Sequence, residues 1–153
     1  MQTIHWKIKS FTELSVTELY EILKIRQEVF IVEQTCDYLD ADGYDDKAIH
    51  LWAETNGEIL AYCRLFDSGI KYQEASIGRV LTNSNYRNLR LGKTLMQFAL
   101  FIIEARFRAG DVRISAQDYL LKFYSGFGFQ DTGKKYLEDD IPHTEMLKSY
   151  KYV

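Results

Sequence analysis

Ile4, Trp6 and Ile8 alternate with His5, Lys7 and Lys9, the two-residue period of a strand with one buried face. The period then changes. Leu19, Ile22, Leu23, Arg26 and Phe30 recur at helical spacing and predict a helix over Thr17–Val32, with Ser15 or Thr17 as N-cap and Glu18 and Glu21 in its first turn. Periodicity stops at Glu33 and resumes with two strands, Ile49–Thr55 and Ile59–Phe66. The Asn56-Gly57 pair between them suits a tight antiparallel hairpin, because both residues tolerate positive φ.

Ala75–Thr82 reads as a further strand, and Leu91–Arg108 as the helix that follows it. Leu91, Leu95, Phe98, Ile102 and Ile103, joined by Met96, Ala99 and Leu100, cover more than one side of that helix and predict that it is largely buried. Ala109-Gly110 ends it, Val112–Ala116 forms a short strand, and Asp118–Ser125 a short helix stopped by Gly126. Another strand starts at Phe127–Phe129, and the only proline, Pro142, precedes a last strand over Glu145–Tyr152. Strands before the buried helix and a strand–helix–strand unit after it predict an α/β fold: a central mixed, mostly antiparallel sheet flanked by helices. No linker or repeat divides residues 1–153, so one domain is expected.

Composition narrows the function. Net charge is −3 with no basic run, which argues against nucleic acid as a partner. The longest purely apolar run, Phe98–Ile103, is far short of a membrane span, and the N-terminus lacks a signal-peptide core, so a cytoplasmic protein is expected. Cys36 and Cys63 form no Cys-x-x-Cys pair and are expected as free, reduced thiols. The chemistry concentrates instead between the Ala75–Thr82 strand and the next helix. There Arg87, Arg90 and Lys93 crowd a helix N-terminus, whose partial positive charge and unpaired N–H groups suit phosphate oxygens.

The order strand, Arg87-x-x-Arg90-x-Gly92, apolar helix, strand, then Phe123-Tyr124-x-x-Phe127-Gly128-Phe129 resembles the GNAT superfamily of acetyl-CoA-dependent N-acetyltransferases. Further segments resemble its ElaA-like branch: Arg26-x-x-Val29-Phe30-x-Val32-Glu33-Gln34-x-Cys36-x-Tyr38, Gly78-Arg79-Val80, Ala116-Gln117 and Ile141-Pro142-His143. The resemblance spans nearly the whole chain. It implies that Arg87, Asn88, Leu89, Arg90, Leu91, Gly92 and Lys93 follow the CoA pyrophosphate. It also implies that the main chain of Val80, Leu81 and Thr82, on a strand splayed from its neighbour, pairs with the pantetheine amides. Arg90 stands where the family signature has glycine, a residue associated with close backbone approach to ligand.

The same resemblance makes Tyr124 the acid that protonates the CoA sulfur, and Gln117 a side-chain contact to the cofactor arm. Glu33 is the first candidate base, because it ends the first helix and opens an acidic loop that reaches Asp46. His143, with an imidazole suited to proton transfer near neutral pH, is the second; Gln34 and His143 are also assigned to the acceptor. His50 is read as structural or near Glu33, and His5 as a surface residue. The loop holds Glu33, Asp37, Asp40, Asp42, Asp45 and Asp46 without Lys or Arg before Lys47; either these form a field that favours a cationic amine, or they are simply solvated. A calcium loop fails on spacing, since Tyr38 and Ile49 fall where ligating oxygens are needed, and no metal is expected.

The expectation is acetyl transfer from acetyl-CoA to an amine acceptor by direct attack in a ternary complex, with no acyl-enzyme. The alternative is a non-catalytic acyl-CoA-binding or regulatory module. A phosphate enzyme of the P-loop kind is disfavoured, because Arg87–Lys93 lacks the Gly-Lys-Ser/Thr ending. The terminal strand leaves a homodimer open.

Overall fold

A computed structural model describes residues 3–108 and 110–150. Its elements follow the periodicities closely: β1 (His5–Ser10), α1 (Val16–Arg26), β2 (Ile49–Thr55), β3 (Glu58–Phe66), β4 (Ala75–Thr82), α2 (Leu91–Ile102), β5 (Val112–Gln117), α3 (Leu121–Ser125), β6 (Gln130–Glu138) and β7 (Ile141–Lys148). The seven strands form one sheet in the order β1-β2-β3-β4-β5-β7-β6. Only β4 and β5 run parallel; the other pairs are antiparallel. The expected mixed sheet between helices is therefore present.

Strand alternation divides the core in two. On one face α1 brings Ile22, Ile25, Val29 and Phe30 onto Trp52, Tyr62 and Leu81. On the other, Leu95, Met96 and Ala99 of α2, with Tyr124 of α3, meet Leu51, Ala61, Cys63 and Ile77. Between the N-cap candidates the structure selects Ser15, whose hydroxyl accepts from the Glu18 amide at 3.0 Å while the Glu18 carboxylate accepts from the Ser15 amide at 2.9 Å. From Gln27 to Glu33 the helix continues in wider π-helical turns.

Some boundaries differ from expectation. The helix α2 is not buried all round: Phe101 is 69% exposed, and Phe98 packs edge-on against Trp6 with centroids 4.9 Å apart. Strand β6 starts at Gln130 rather than Phe127, because the Phe127 and Gly128 amides are used to close the turn after α3 onto the Tyr124 and Ser125 carbonyls. Strand β7 starts at Ile141, before Pro142. The proline is tolerated because the pairing of β7 with β5 ends at His143, one residue short of it. The far end of the expected last strand, Lys151 and Tyr152, lies outside the described residues, as does Ala109.

Candidate functional site

Strands β4 and β5 pair only at Ala75–Val112 and Ser76–Arg113 and then diverge. The wedge between them opens a cleft of about 970 Å³, lined by Val80, Leu81 and Thr82 on one side and Ile114, Ser115 and Gln117 on the other. Strand β4 remains paired to β3 along its opposite edge, so its free backbone groups face the wedge. A bulge in that pairing sits at Arg79, whose φ is +50°, and it turns β4 beside the cleft.

At the open end, Asn83 accepts from the Asn85 amide and donates to the Ile59 carbonyl, each at 3.0 Å. Residues Ser84–Leu89 form a kinked 3-10 segment that delivers the chain to Arg90. Arg90 adopts the left-handed conformation, φ +54° and ψ +37°, and α2 starts immediately after it. The glycine of the family signature thus meets a conformational need at this position, which the arginine fills under strain. Gly92 differs. A Cβ there would make only ordinary contact, 3.6 Å from Thr82 Cγ2 and 3.7 Å from Phe123 Cζ, and its φ is not positive. Neither packing nor conformation demands its glycine.

Arg87, Arg90, Leu91, Gly92 and Lys93 all line the cleft, whereas Asn88 and Leu89 are exposed outside it. Arg87 and Glu33 form an ion pair across the cleft mouth, Nη2 donating to Oε2 at 3.0 Å, so the nominated base and a nominated phosphate ligand bind each other. Gln117 donates to Gln34 at 3.2 Å, tying the end of β5 to the turn after α1. Tyr124 is 6% exposed, packs edge-on against Phe123 and Phe129, and lines the cleft; its hydroxyl has no hydrogen-bond partner among the described residues. Burial pushes its ionisation well above the ordinary phenol value.

His143 lines the wall opposite β4. Its Nδ1 donates to the Ile141 carbonyl at 2.8 Å, which turns Nε2 toward Glu138 Oε2 at 3.3 Å. The ring stacks on Tyr136. His50 is structural, with Nε2 donating to the Asp45 carbonyl at 2.9 Å and Nδ1 accepting from the Tyr62 hydroxyl at 2.7 Å. Cys63 is buried, which pushes its thiol far up, and Cys36 donates weakly to the Gln34 and Asp139 carbonyls; both thiols are free. Among the described residues no group of three or more metal-ligating side chains comes together.

The acidic loop is only in part the field or solvated run that the sequence had suggested: Asp37 and Asp46 are exposed, whereas three of its carboxylates are paired. Asp40 takes Arg26 and Arg79, Asp42 takes Arg64 and Lys71, and Asp45 is shared by Arg26 and Arg64. Burial disfavours the Arg26 cation, but Tyr62, Asp45 and Asp40 reverse that and hold it charged; burial likewise opposes the Asp42 carboxylate, and Arg64 overrides it. Arg64, Lys71, Ser76, Gly78 and Arg79 were not assigned from sequence, yet they line the cleft. The available signal was a charge inside an apolar run, Arg64 in β3 and Arg26 on the buried side of α1, since such charges are kept only when paired.

The profile of the acetyltransferase (GNAT) domain matches residues 18–150. The chain belongs to the GNAT acetyltransferase family. ElaA of Escherichia coli is 36% identical over 147 residues, covering 95% of this chain and 96% of that protein. A UPF0039 protein of Synechocystis is 39% identical over 145 residues, 94% of each. Among solved structures, an acyl-CoA N-acyltransferase from Pseudomonas aeruginosa superposes with a TM-score of 0.89 at 40% identity, covering 95% of this chain and 99% of that one. E. coli ElaA superposes with 0.88 at 35% identity, with the same coverage. The GNAT family carries out acyl transfer from an acyl-CoA co-substrate. No helix among the described residues is long and apolar enough to cross a membrane.

Proposed function

We propose that the protein transfers an acetyl group from acetyl-CoA to an amine, by direct attack within a ternary complex in the cytoplasm. The observation that carries this reading is Tyr124, a buried ring whose hydroxyl has no hydrogen-bond partner among the described residues and lines the wedge between two free strand edges. The thioester supplies the activated acetyl group. Arg87, Arg90 and Lys93 hold the pyrophosphate with the first turn of α2, and Val80 to Thr82 orient the pantetheine arm through backbone groups. Asn88 and Leu89 contribute chain geometry rather than contacts. Gln117, steadied by Gln34, closes the β5 side of the arm.

A lysine-like amine must lose a proton that costs roughly 4–5 kcal/mol at neutral pH, and an α-amine about 1 kcal/mol. Both Glu33 and His143 face the cleft, but the Glu33 carboxylate is engaged by Arg87. His143 has the better-prepared geometry: Ile141 fixes the proton on Nδ1, Nε2 is left to accept, and Glu138 stands ready to stabilise the imidazolium. Glu33 then serves as the partner that Arg87 leaves when it turns to phosphate. Tyr124, kept protonated by burial, donates to the departing sulfur.

The test is thiol release from acetyl-CoA across a panel of amines, for the native protein and Tyr124→Phe. Release with the native protein, and a fall in kcat of about 10²-fold or more in the variant with acetyl-CoA affinity nearly unchanged, supports the reading. Acetyl-CoA binding with no transfer to any amine supports a non-catalytic acyl-CoA-binding module instead. Equal turnover in Tyr124→Phe removes Tyr124 as the acid.

A further inference from the structure

Among side-chain nitrogens and oxygens of the described residues that are themselves closed to solvent, one has no hydrogen-bond partner: Nε of Arg64. The Arg64 side chain is 1% exposed, and its two terminal nitrogens are spent on Asp42 and Asp45. A buried guanidinium N–H left empty is costly, and such a group in a cleft calls for an acceptor from outside the protein.

The backbone leaves space beside it. Gly78 stands opposite Arg64 on β4, and Arg64 Nε is the single atom within 4 Å of where a Gly78 side chain would begin, at 3.9 Å. The Gly78 φ is not positive, so conformation does not require the glycine; its missing side chain leaves unfilled the space nearest to Nε, so that a small shift of the cleft wall suffices to expose the N–H. Ser76, two residues back on the same face, is buried, lines the cleft and has a hydroxyl without a partner among the described residues. These residues lie near the closed end of the wedge, where β4 still pairs with β5, while Arg87 and Gly92 lie at its open end. The phosphate end and this end of the cleft are therefore different places.

Charge gives the sign of the ligand. Four cations, Arg26, Arg64, Lys71 and Arg79, share three carboxylates, Asp40, Asp42 and Asp45, so this wall carries one positive charge in excess. The facing wall, at the β6–β7 turn, presents Glu138 and Asp139 beside His143. One wall suits an anion and the other an ammonium.

Building on the acetyl-transfer reading, we propose that the acceptor is an extended aminocarboxylate, its carboxylate seated on Arg64 Nε and the Ser76 hydroxyl over Gly78, its reacting amine at the other end of the molecule toward His143, which pairs with Gln117, four residues along β5 from the Arg113 that pairs with Ser76. A site built to hydrogen-bond a carboxylate rejects analogues lacking it, because its buried donor is then left unpaired. Arg64 itself acts here as a binding residue, held in place by Asp42 and Asp45.

The experiment measures binding by saturation-transfer NMR and calorimetry, in the presence of CoA, for free amino acids, their carboxamides and the decarboxylated amines. The same panel is run in the thiol-release assay. At least one amino acid should bind about ten-fold or more tightly than its carboxamide, the worth of a charge-assisted hydrogen bond. Gly78→Val, which fills the space over Nε without touching the ion pairs, should abolish that ratio while CoA affinity stays the same. Gly78→Ala, whose single methyl meets only ordinary contact, should reduce the ratio and covers the case in which the valine variant does not fold. Amines and amides binding as tightly as amino acids, or a preference that survives both substitutions, overturns the subsite. Transfer to amines without carboxylate preference overturns it and leaves acetyl transfer standing; amino-acid binding without transfer does the reverse. Neither binding nor transfer overturns both.

Discussion

Arg90→Gly should make the protein more stable. The residue sits at φ +54° and ψ +37°, and its exposed side chain forms no hydrogen bond or ion pair among the described residues; the one bond, from its backbone amide to the Arg87 carbonyl, survives substitution, so removing the side chain forfeits little. A non-glycine residue in this region pays about 1–2 kcal/mol, while glycine adds roughly 0.5–1 kcal/mol of unfolded-chain entropy. The net gain is about 0.7 kcal/mol, or about 2 °C in Tm for a domain of this length. With an m-value of about 2 kcal/mol/M, the urea midpoint should rise by about 0.3 M at unchanged slope. Arg90→Ala is the control, since it removes the same side chain but keeps the Cβ; it should sit about 1 kcal/mol below the glycine variant. Arg79 supplies a second control. It is left-handed too, at φ +50°, but its guanidinium holds Asp40 at 2.8 Å, so Arg79→Gly should destabilise. Equal stability of the glycine and alanine variants at position 90 would falsify the conformational account of this position.

Gly92→Ala should separate ligand space from folding: a cleaner helix start adds about 0.5–1 kcal/mol of stability, while the new methyl intrudes on the CoA approach and weakens binding. Calorimetric titration showing unchanged CoA affinity would refute the ligand-space account of Gly92. Glu33→Gln should free Arg87 for phosphate and tighten CoA binding about two- to five-fold at low ionic strength, with the gain fading in high salt as expected of a half-exposed pair. Arg87→Glu should weaken CoA binding, and a Kd insensitive to both changes would mean that the mouth pair does not compete with phosphate. For pH, burial tends to raise the Glu18 carboxyl, but the Ser15 amide, Lys9 and Lys7 outweigh it and hold the group at about 2, against 4.5 ordinarily. A depressed folded value contributes stability above pH 4.5 that disappears as pH falls toward 2. Glu18→Gln should therefore be less stable than the native protein at pH 6 and converge on it below pH 3, as followed by urea midpoints; parallel curves would remove Glu18 from the acid response.

How much of this was legible depended on how far apart the cooperating residues lie. The β2–β3 hairpin was readable because the Asn56-Gly57 turn sits within the strands it joins; in the structure both residues have positive φ. The strand, turn and helix start of the proposed phosphate end were readable for the same reason, since Val80 to Lys93 are one continuous stretch of chain. The proposed acceptor end has no such continuity. Arg26 meets Asp40 across 14 positions, Arg64 meets Asp42 across 22, and Arg79 meets Asp40 across 39. A charge count on the loop recorded its acids but could not assign their partners, so it left open a field for cations or a solvated loop, where the fold pairs Asp40, Asp42 and Asp45 with Arg26, Arg64, Lys71 and Arg79. The order β5-β7-β6 was hidden similarly, because a strand inserted between its predecessors leaves no local mark. One rule would have recovered part of the loss. Arg26 falls at a position of α1 that helical spacing sends inward, and Arg64 falls within the almost continuously apolar β3. Two arginines that must be buried require carboxylates within reach, and the next run of unpaired acids along the chain is the loop from Asp37 to Asp46. Followed that far, the pattern assigns the loop to the core of the charge network and makes any leftover guanidinium donor, here Arg64 Nε, the place to look for a ligand.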